Sequence, residues 1–227
     1  MQLDEAGDHA VNEAGVTIDE LAVADQPERW TAASFAVHDS CCQLGSVRLR
    51  FAGPRQEAGA GILGWSLRGI ASVELDGLPT TRSQSPPPPP PGAHPNGAVA
   101  VDHVVVMSPA LDRTVAALRA AGLDLRRVRE QPTPAGAPRQ AFFRLGAEIL
   151  EVVQEPDAVL ERDGGPDRPA RLWGLALRVQ DLDRTLAALA PNVSPARPAV
   201  QPGRRIATVR RSAGLAVPVA LMSAPGE

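Results

Sequence analysis

Eight residues occur twice in this chain. Leu111-Asp112-Arg113-Thr114-Val115-Ala116-Ala117-Leu118 returns as Leu182-Asp183-Arg184-Thr185-Leu186-Ala187-Ala188-Leu189, with one position changed. An internal repeat implies one supersecondary unit used twice, so it limits the topology more than any single motif can. Leucine or valine holds the first, fifth and eighth places in each copy, which is one side of a helix. Ser108-Pro109 supplies an N-cap followed by proline for the first helix, and Gly122 supplies its stop. Pro191 ends the second helix.

The flanks repeat as well. A short apolar strand precedes each helix, Val101 to Met107 in one copy and Leu172 to Val179 in the other. Three strand-like stretches come after the first helix: Leu125 to Arg129, Gln140 to Leu145 and Glu148 to Gln154. After the second helix they run from Val193 to Val200, Arg205 to Arg210 and Leu215 to Met222. The expected fold class is therefore α+β, with two βαβββ modules at residues 100–156 and 170–224. A module with one sheet face under its helix leaves the other face bare. Two bare faces can share one cleft for a ligand.

Ahead of this repeat, Ser85 leads into six prolines, Pro86 to Pro91, and then Gly92-Ala93-His94-Pro95-Asn96-Gly97. Contiguous prolines adopt polyproline II and cannot enter a helix or sheet interior, so residues 83–99 read as a semi-rigid linker. Residues 15–82 read as a degenerate third module. Val16 to Ala24 forms its first strand, Pro27 to Ala33 a short helix capped by Asp25, and Ser46 to Phe51 and Ile62 to Ile70 two further strands. Residues 1–14 read as a disordered tail.

Composition excludes several functions. The 227 residues carry 23 basic and 26 acidic side chains for a net charge of −3, so no electrostatic footprint for nucleic acid or an anionic membrane is visible. Every basic residue is arginine, and tyrosine is absent. With abundant alanine, proline and glycine, this fits a GC-rich bacterial genome and lowers the weight of any single arginine. The N-terminus is acidic and lacks the basic and apolar regions of a signal peptide, and no apolar run is long enough to span a bilayer. Cys41 and Cys42 are neighbours and, on a strand, would point to opposite faces, one buried and one exposed. A cytoplasmic location is expected. No phosphate-binding loop, dinucleotide glycine motif, nucleophile elbow or His-Glu-x-x-His is present.

Two segments carry a family resemblance. Val101-Asp102-His103-Val104-Val105-Val106 runs on into Leu111-Asp112-Arg113-Thr114, and Phe142-Phe143-Arg144-Leu145-Gly146-Ala147-Glu148-Ile149-Leu150-Glu151-Val152-Val153 lies further along. Together with the duplication, over residues 100–224, they resemble the vicinal-oxygen-chelate superfamily. That group contains glyoxalase I, extradiol dioxygenases, and bleomycin- and fosfomycin-resistance proteins. The resemblance implies a small organic ligand in the cleft and one divalent metal, Zn, Ni, Mn or Fe, with ligands from the first and fourth strands of each module. In the first module those positions hold His103 and Glu151. In the second they hold Gly174 and either Ala220 or Met222, none of which suits such a metal.

Alternation on the strands places His103 with Val101 and Val105, and Glu151 with Ile149 and Val153. Glu151 doubles as a base, since a carboxyl in an apolar cleft has a raised pKa. Arg178 shares parity with the small residues Gly174 and Ala176 and offers a fork to a carboxylate or phosphate. Arg139 and Arg144 are further arginines of the third strand. Of the adjacent Phe142 and Phe143, one should pack under the helix and the other line the cleft. Trp30, Trp65 and Trp173 are expected as core or interface anchors. These residues support three functional readings: a metal-dependent lyase, isomerase or dioxygenase; a metal-free binding protein of resistance type; and a structural module for self-association, as in a homodimer.

Overall fold

The computed structural model describes residues 15–54, 61–89, 91–133 and 136–224; the expected tail, residues 1–14, lies outside them. In chain order the first half contains β1 (Thr17–Val23), α1 (Pro27–Ala32), β2 (Cys41–Leu44), β3 (Val47–Phe51), β4 (Ile62–Arg68) and β5 (Thr80–Ser83). The second half contains β6 (Ala98–Ser108), α2 (Leu111–Ala120), β7 (Asp124–Arg129), β8 (Gln140–Leu145), β9 (Glu148–Gln154) and α3 (Asp157–Arg162). It continues with β10 (Arg171–Val179), α4 (Leu182–Leu189), β11 (Arg197–Pro198), β12 (Arg205–Thr208) and β13 (Val219–Met222).

Strands β6 to β13 form one eight-stranded sheet in the order β11-β12-β13-β10-β6-β9-β8-β7. Each module thus has the spatial order first, fourth, third, second, and the two modules join through their antiparallel first strands, β6 and β10. The duplicated segment proves to be structural. Leu111 and Leu182 are buried at the helix starts, as are Thr114 and Thr185. Its aspartates pair with an arginine at the start of each third strand, Asp112 with Arg139 and Asp183 with Arg205, both at 3.0 Å. Arg139 is also bound to Glu130, so its fork is occupied.

Some expectations change. The residue capping α2 is Ala110, with no side-chain cap; Ser108 Oγ instead accepts from Ala110 N and bonds Thr114. Gln26, not Asp25, caps α1. The strand expected at Val193 to Val200 shrinks to Arg197–Pro198, because prolines in that stretch remove ladder donors. Trp30 and Trp65 are buried, whereas Trp173 is 42% exposed.

The first half is a second, shortened version of the same plan. Its sheet runs β2-β3-β1-β4-β5, with β1 parallel to β3, antiparallel to β4, and β4 parallel to β5. The β1–β4 pair repeats β6–β10 in detail. Ile18 faces Leu67 and Glu20 faces Ser66, with Asp19 skipped; Val101 faces Leu177 and His103 faces Ala176, with Asp102 skipped. Gly64 in β4 and Gly174 in β10 each lie under a proline carbonyl. A Cβ there would stand 2.8 Å from Pro79 O and 2.9 Å from Pro218 O, and the next amide bonds that same oxygen at 3.0 Å in both cases. Between β4 and β5 the chain has lost the helix and two strands of a full module.

The halves interlock reciprocally. The β2–β3 turn, Gly45-Ser46, sits on Ala100 at the start of β6, and the β8–β9 turn, Gly146-Ala147, sits on Thr17 at the start of β1. Both turns lead with a glycine at positive φ, +63° and +69°, as tight hairpins require. A Cβ on either glycine would reach 2.9 Å from the opposing residue. Asp25, almost fully buried, accepts from Trp30 Nε1 (3.0 Å) in its own half and from Ala216 N (2.9 Å) in the other. Buried residues of both sheets form one continuous core.

The segment after the prolines is bonded to the first half. His94 Nδ1 accepts from Ala36 N at 3.0 Å while its Nε2 donates to Gln43 O at 2.9 Å, and Asn96 Nδ2 donates to Ala33 O at 2.9 Å. Burial holds the His94 imidazole below its ordinary pKa. That histidine is thereby committed to structure. Cys42 is buried beside it with its thiol pushed up to about 12, and Cys41 is only half-buried.

Valine substitution at Gly64 or Gly174 must push a proline carbonyl aside. Each is expected to lower stability by about 1–3 kcal/mol in urea unfolding. A glycine position accepting valine without loss would refute the shared packing.

Candidate functional site

Two faces of the eight-stranded sheet have different fates. Val104, Val106, Leu150, Val152, Leu175 and Leu177 belong to the main core with Leu111, Leu118, Leu182 and Leu189 of the helices. On the other face Val105 and Val153 cluster separately with Ala137 and the half-buried Met107. Cross-strand partners share a face. Val105 pairs with Glu151 and Gly174, and His103 pairs with Ile149 and Ala176, so all of these lie on that second face, the one expected to line the cleft.

A bulge at Asp102 shapes the polar part of this cleft. An extra residue in one strand leaves two neighbours pointing to one side. Val101 is thus returned to the main core, against the expected alternation, and Asp102 joins His103 in the cleft. The result is a row of five polar side chains from both modules. Arg204 Nη2 donates to Asp102 Oδ1 at 2.6 Å, and Asp102 Oδ2 lies 3.0 Å from His103 Nδ1. His103 Nε2 stands 3.5 Å from Glu151 Oε2, while Gln140 Nε2 donates to Glu151 Oε1. The His103 and Glu151 side chains retain 15% and 18% exposure, so both can be reached.

Charge is distributed unevenly along the row. Burial alone would raise the Asp102 carboxyl, but hydrogen bonds from His103 and Arg204 outweigh it and bring the pKa down to about 2. An ionised Asp102 calls for a proton on His103 Nδ1, which turns the Nε2 lone pair toward Glu151. Glu151 moves the other way. Burial raises its pKa, and the field of His103 and the Gln140 hydrogen bond offset only part of that. A poised carboxyl beside an oriented imidazole can exchange a proton with a bound molecule.

The other expected contacts are spread around this row. Phe143 is fully buried; Phe142 pairs with Glu151 on the cleft face, half-buried, with the Arg127 guanidinium 5.1 Å over its ring. Arg144 is exposed and turned onto Gly146 O of its own hairpin. Arg178 lies on the His103 face, two residues beyond Ala176, paired with Ala100 and Met222. Asp102, Gln140 and Arg204 were not foreseen. Strict alternation put Asp102 on the wrong face, although Val16-Thr17-Ile18-Asp19 and Val99-Ala100-Val101-Asp102 repeat one pattern.

A metal does not fit this donor set. His103 Nε2 and Glu151 supply two ligands where catalytic sites supply three or more. Both Asp102 oxygens are engaged, Ala220 and Gly174 offer none, and Gly174 has no room for a side chain. Among the described residues no three of His, Cys, Asp and Glu gather around a common centre.

Two outcomes test this electrostatic picture. In nitrogen-15 NMR above neutral pH, His103 is expected as the Nδ1–H tautomer, and Asp102→Asn is expected to lose that preference. For Glu151, a raised folded-state pKa means its stabilising share is complete below pH 4.5, its ordinary value, and is lost as pH rises through the raised value. Glu151→Gln escapes that loss, so its Tm should exceed the wild type's well above the raised value and converge with it near pH 4.5.

No protein-family model matches the sequence, and no curated protein matches it. Solved structures do resemble it in fold. Methylmalonyl-CoA epimerase from Mycobacterium tuberculosis aligns at 19% identity over 56% of this chain and 89% of that one, with TM-score 0.46. A Streptomyces coelicolor methylmalonyl-CoA epimerase in complex with 2-nitronate-propionyl-CoA aligns at 19% identity over 56% and 95%, with TM-score 0.45. A xylose isomerase-like TIM barrel/4-hydroxyphenylpyruvate dioxygenase fusion protein aligns at 10% identity over 91% of this chain and 48% of that one, with TM-score 0.59. This last match extends over nearly the whole chain, which spans about half the fusion protein's length. With its paired βαβββ modules, the chain has a glyoxalase-like fold.

Proposed function

We propose that the chain binds a small organic molecule in the cleft of its eight-stranded sheet and handles a proton on it without a metal. The observation carrying this reading is the Asp102–His103–Glu151 row, which gives an oriented imidazole and a poised carboxyl but only two metal-competent donors. Val105, Met107, Val153 and Ala137 provide an apolar wall beside it, and Phe142 extends that wall past Glu151. Such a site suits a ligand with an apolar body and a polar, acidic or enolisable end.

In this reading Glu151 is the catalytic residue, giving or taking the proton, and His103 is its partner across 3.5 Å. Asp102 and Arg204 are positioning residues that hold the imidazole. Arg178 contacts the polar end of the ligand. Phe142 packs against the ligand, and Arg144, exposed at the hairpin, reaches it at the rim. The chemistry belongs to the isomerase class, in which one group abstracts and returns a proton. The metal-dependent lyase or dioxygenase reading loses support because the second module contributes no metal ligand.

A screen of small organic acids, ketones and aromatic compounds, read by thermal shift and tryptophan fluorescence, tests the proposal. Hits should stabilise the protein equally with and without chelator. Both His103→Ala and Glu151→Gln should weaken them, and turnover of any substrate found should fall about 10²–10⁴-fold in Glu151→Gln. Tightly bound stoichiometric metal in wild-type protein, released by His103→Ala, would overturn the metal-free reading.

A further inference from the structure

The two halves place an arginine at the same position of the repeated strand pair. Arg68 stands opposite Thr17 and Arg178 opposite Ala100, each closing a Gly-x-x-Leu-Arg sequence that starts at Gly64 or Gly174. In the first half Arg68 is fully engaged. Its Nη2 takes the bulge carboxylate Asp19, its Nη1 donates to Ile18 O at 2.8 Å, and its Nε donates to Ser85 O at 2.7 Å.

In the second half the equivalent carboxylate, Asp102, is taken by Arg204 and His103. Arg178 is left half-buried with no hydrogen bond or ion pair among the described residues. Its charge is felt by the Glu148 carboxyl, which makes no ion pair with it and accepts from Ser46 Oγ at 2.5 Å. A guanidinium partly withdrawn from water without an acceptor is costly, and its planar fork matches a carboxylate. Its strand neighbours Ala100 and Ala176 are small and buried, so neither offers the guanidinium a polar partner. Two residues of strand separate Arg178 from Ala176, the partner of His103, a span of roughly 6–7 Å.

We infer that the cleft's ligand carries a carboxylate bound by Arg178, which is free for that role because Arg204 has replaced it at the bulge aspartate. This rests on the cleft being the ligand site. The separation places the next few atoms of a short organic acid against His103 and Glu151, so the ligand class is a small carboxylic acid with its reactive carbon close to the carboxylate.

Pyruvate, malonate, inorganic phosphate and the neutral malonamide, titrated to tens of millimolar, test the assignment by thermal shift and by the Arg178 Nε–H NMR signal. Pyruvate or malonate should stabilise the protein and move that signal, while malonamide should do neither. Arg178→Gln should weaken carboxylate binding at least tenfold, Arg178→Lys should restore part of it, and Glu151→Gln should weaken it less than Arg178→Gln does. Equal binding to wild type and Arg178→Gln, a response to malonamide as strong as to malonate, a response to phosphate alone, or no carboxylate response overturns the inference. If carboxylates bind through Arg178 while His103→Ala and Glu151→Gln alter no ligand response, the proton-handling reading fails and the carboxylate site stands. Ligands that depend on Glu151 but never on Arg178 sink the carboxylate site and leave the proton-handling reading in place.

Discussion

The site depends on one irregularity in one pair of strands. Between Val101 and His103 the β6 strand carries an extra residue relative to β10, and side chains before and after it change faces. Without that bulge His103 would still face Glu151, but Asp102 would point toward the helices. The imidazole would then have no carboxylate at Nδ1, and Arg204 no partner. The polar row exists because a local defect in the ladder places two adjacent side chains on one surface, a common use of bulges near functional sites.

The same backbone device appears twice with different chemistry. At Asp19 the first half has the same bulge, yet Glu20 occupies the histidine position and Arg50 that of Glu151. Glu20 is bridged to Arg48 at 2.9 Å and to Arg50 at 2.7 Å, and Asp19 to Arg68. Every charge there has a partner of opposite sign, and the two outer arginines are nearly half exposed. In the second half an imidazole faces a carboxyl raised by burial, and Arg178, the counterpart of Arg68, has no ion pair among the described residues. A closed set of ion pairs is inert; an unsatisfied set of donors and acceptors is what a ligand can complete.

Interlocked halves keep this arrangement rigid. Each contributes a glycine-led hairpin that seats on the other's first strand, and the buried Asp25 joins Trp30 to the backbone of Ala216. Since Ala100 under Gly45 is the cross-strand neighbour of Arg178, the first half closes the end of the cleft where that arginine stands. The shortened half thus acts as a support for the site although its own polar positions are filled.

Sequence by itself determined the duplicated unit and the β-α-β-β-β element order of the second half, because a repeat and a two-residue strand period are local properties written in neighbouring residues, while the pairing of His103 with Glu151 was implied by the family resemblance. The helices, β8 and β9 came from the same periodicity. Tertiary structure decided what local patterns cannot encode. A bulge is defined by the partner strand, so Asp102 could not be placed from alternation. Arg204 lies far along the chain from Asp102 and meets it only when β12 and β13 complete the sheet. The freedom of Arg178 is likewise a property of the folded chain, since it depends on which carboxylates other arginines have already claimed.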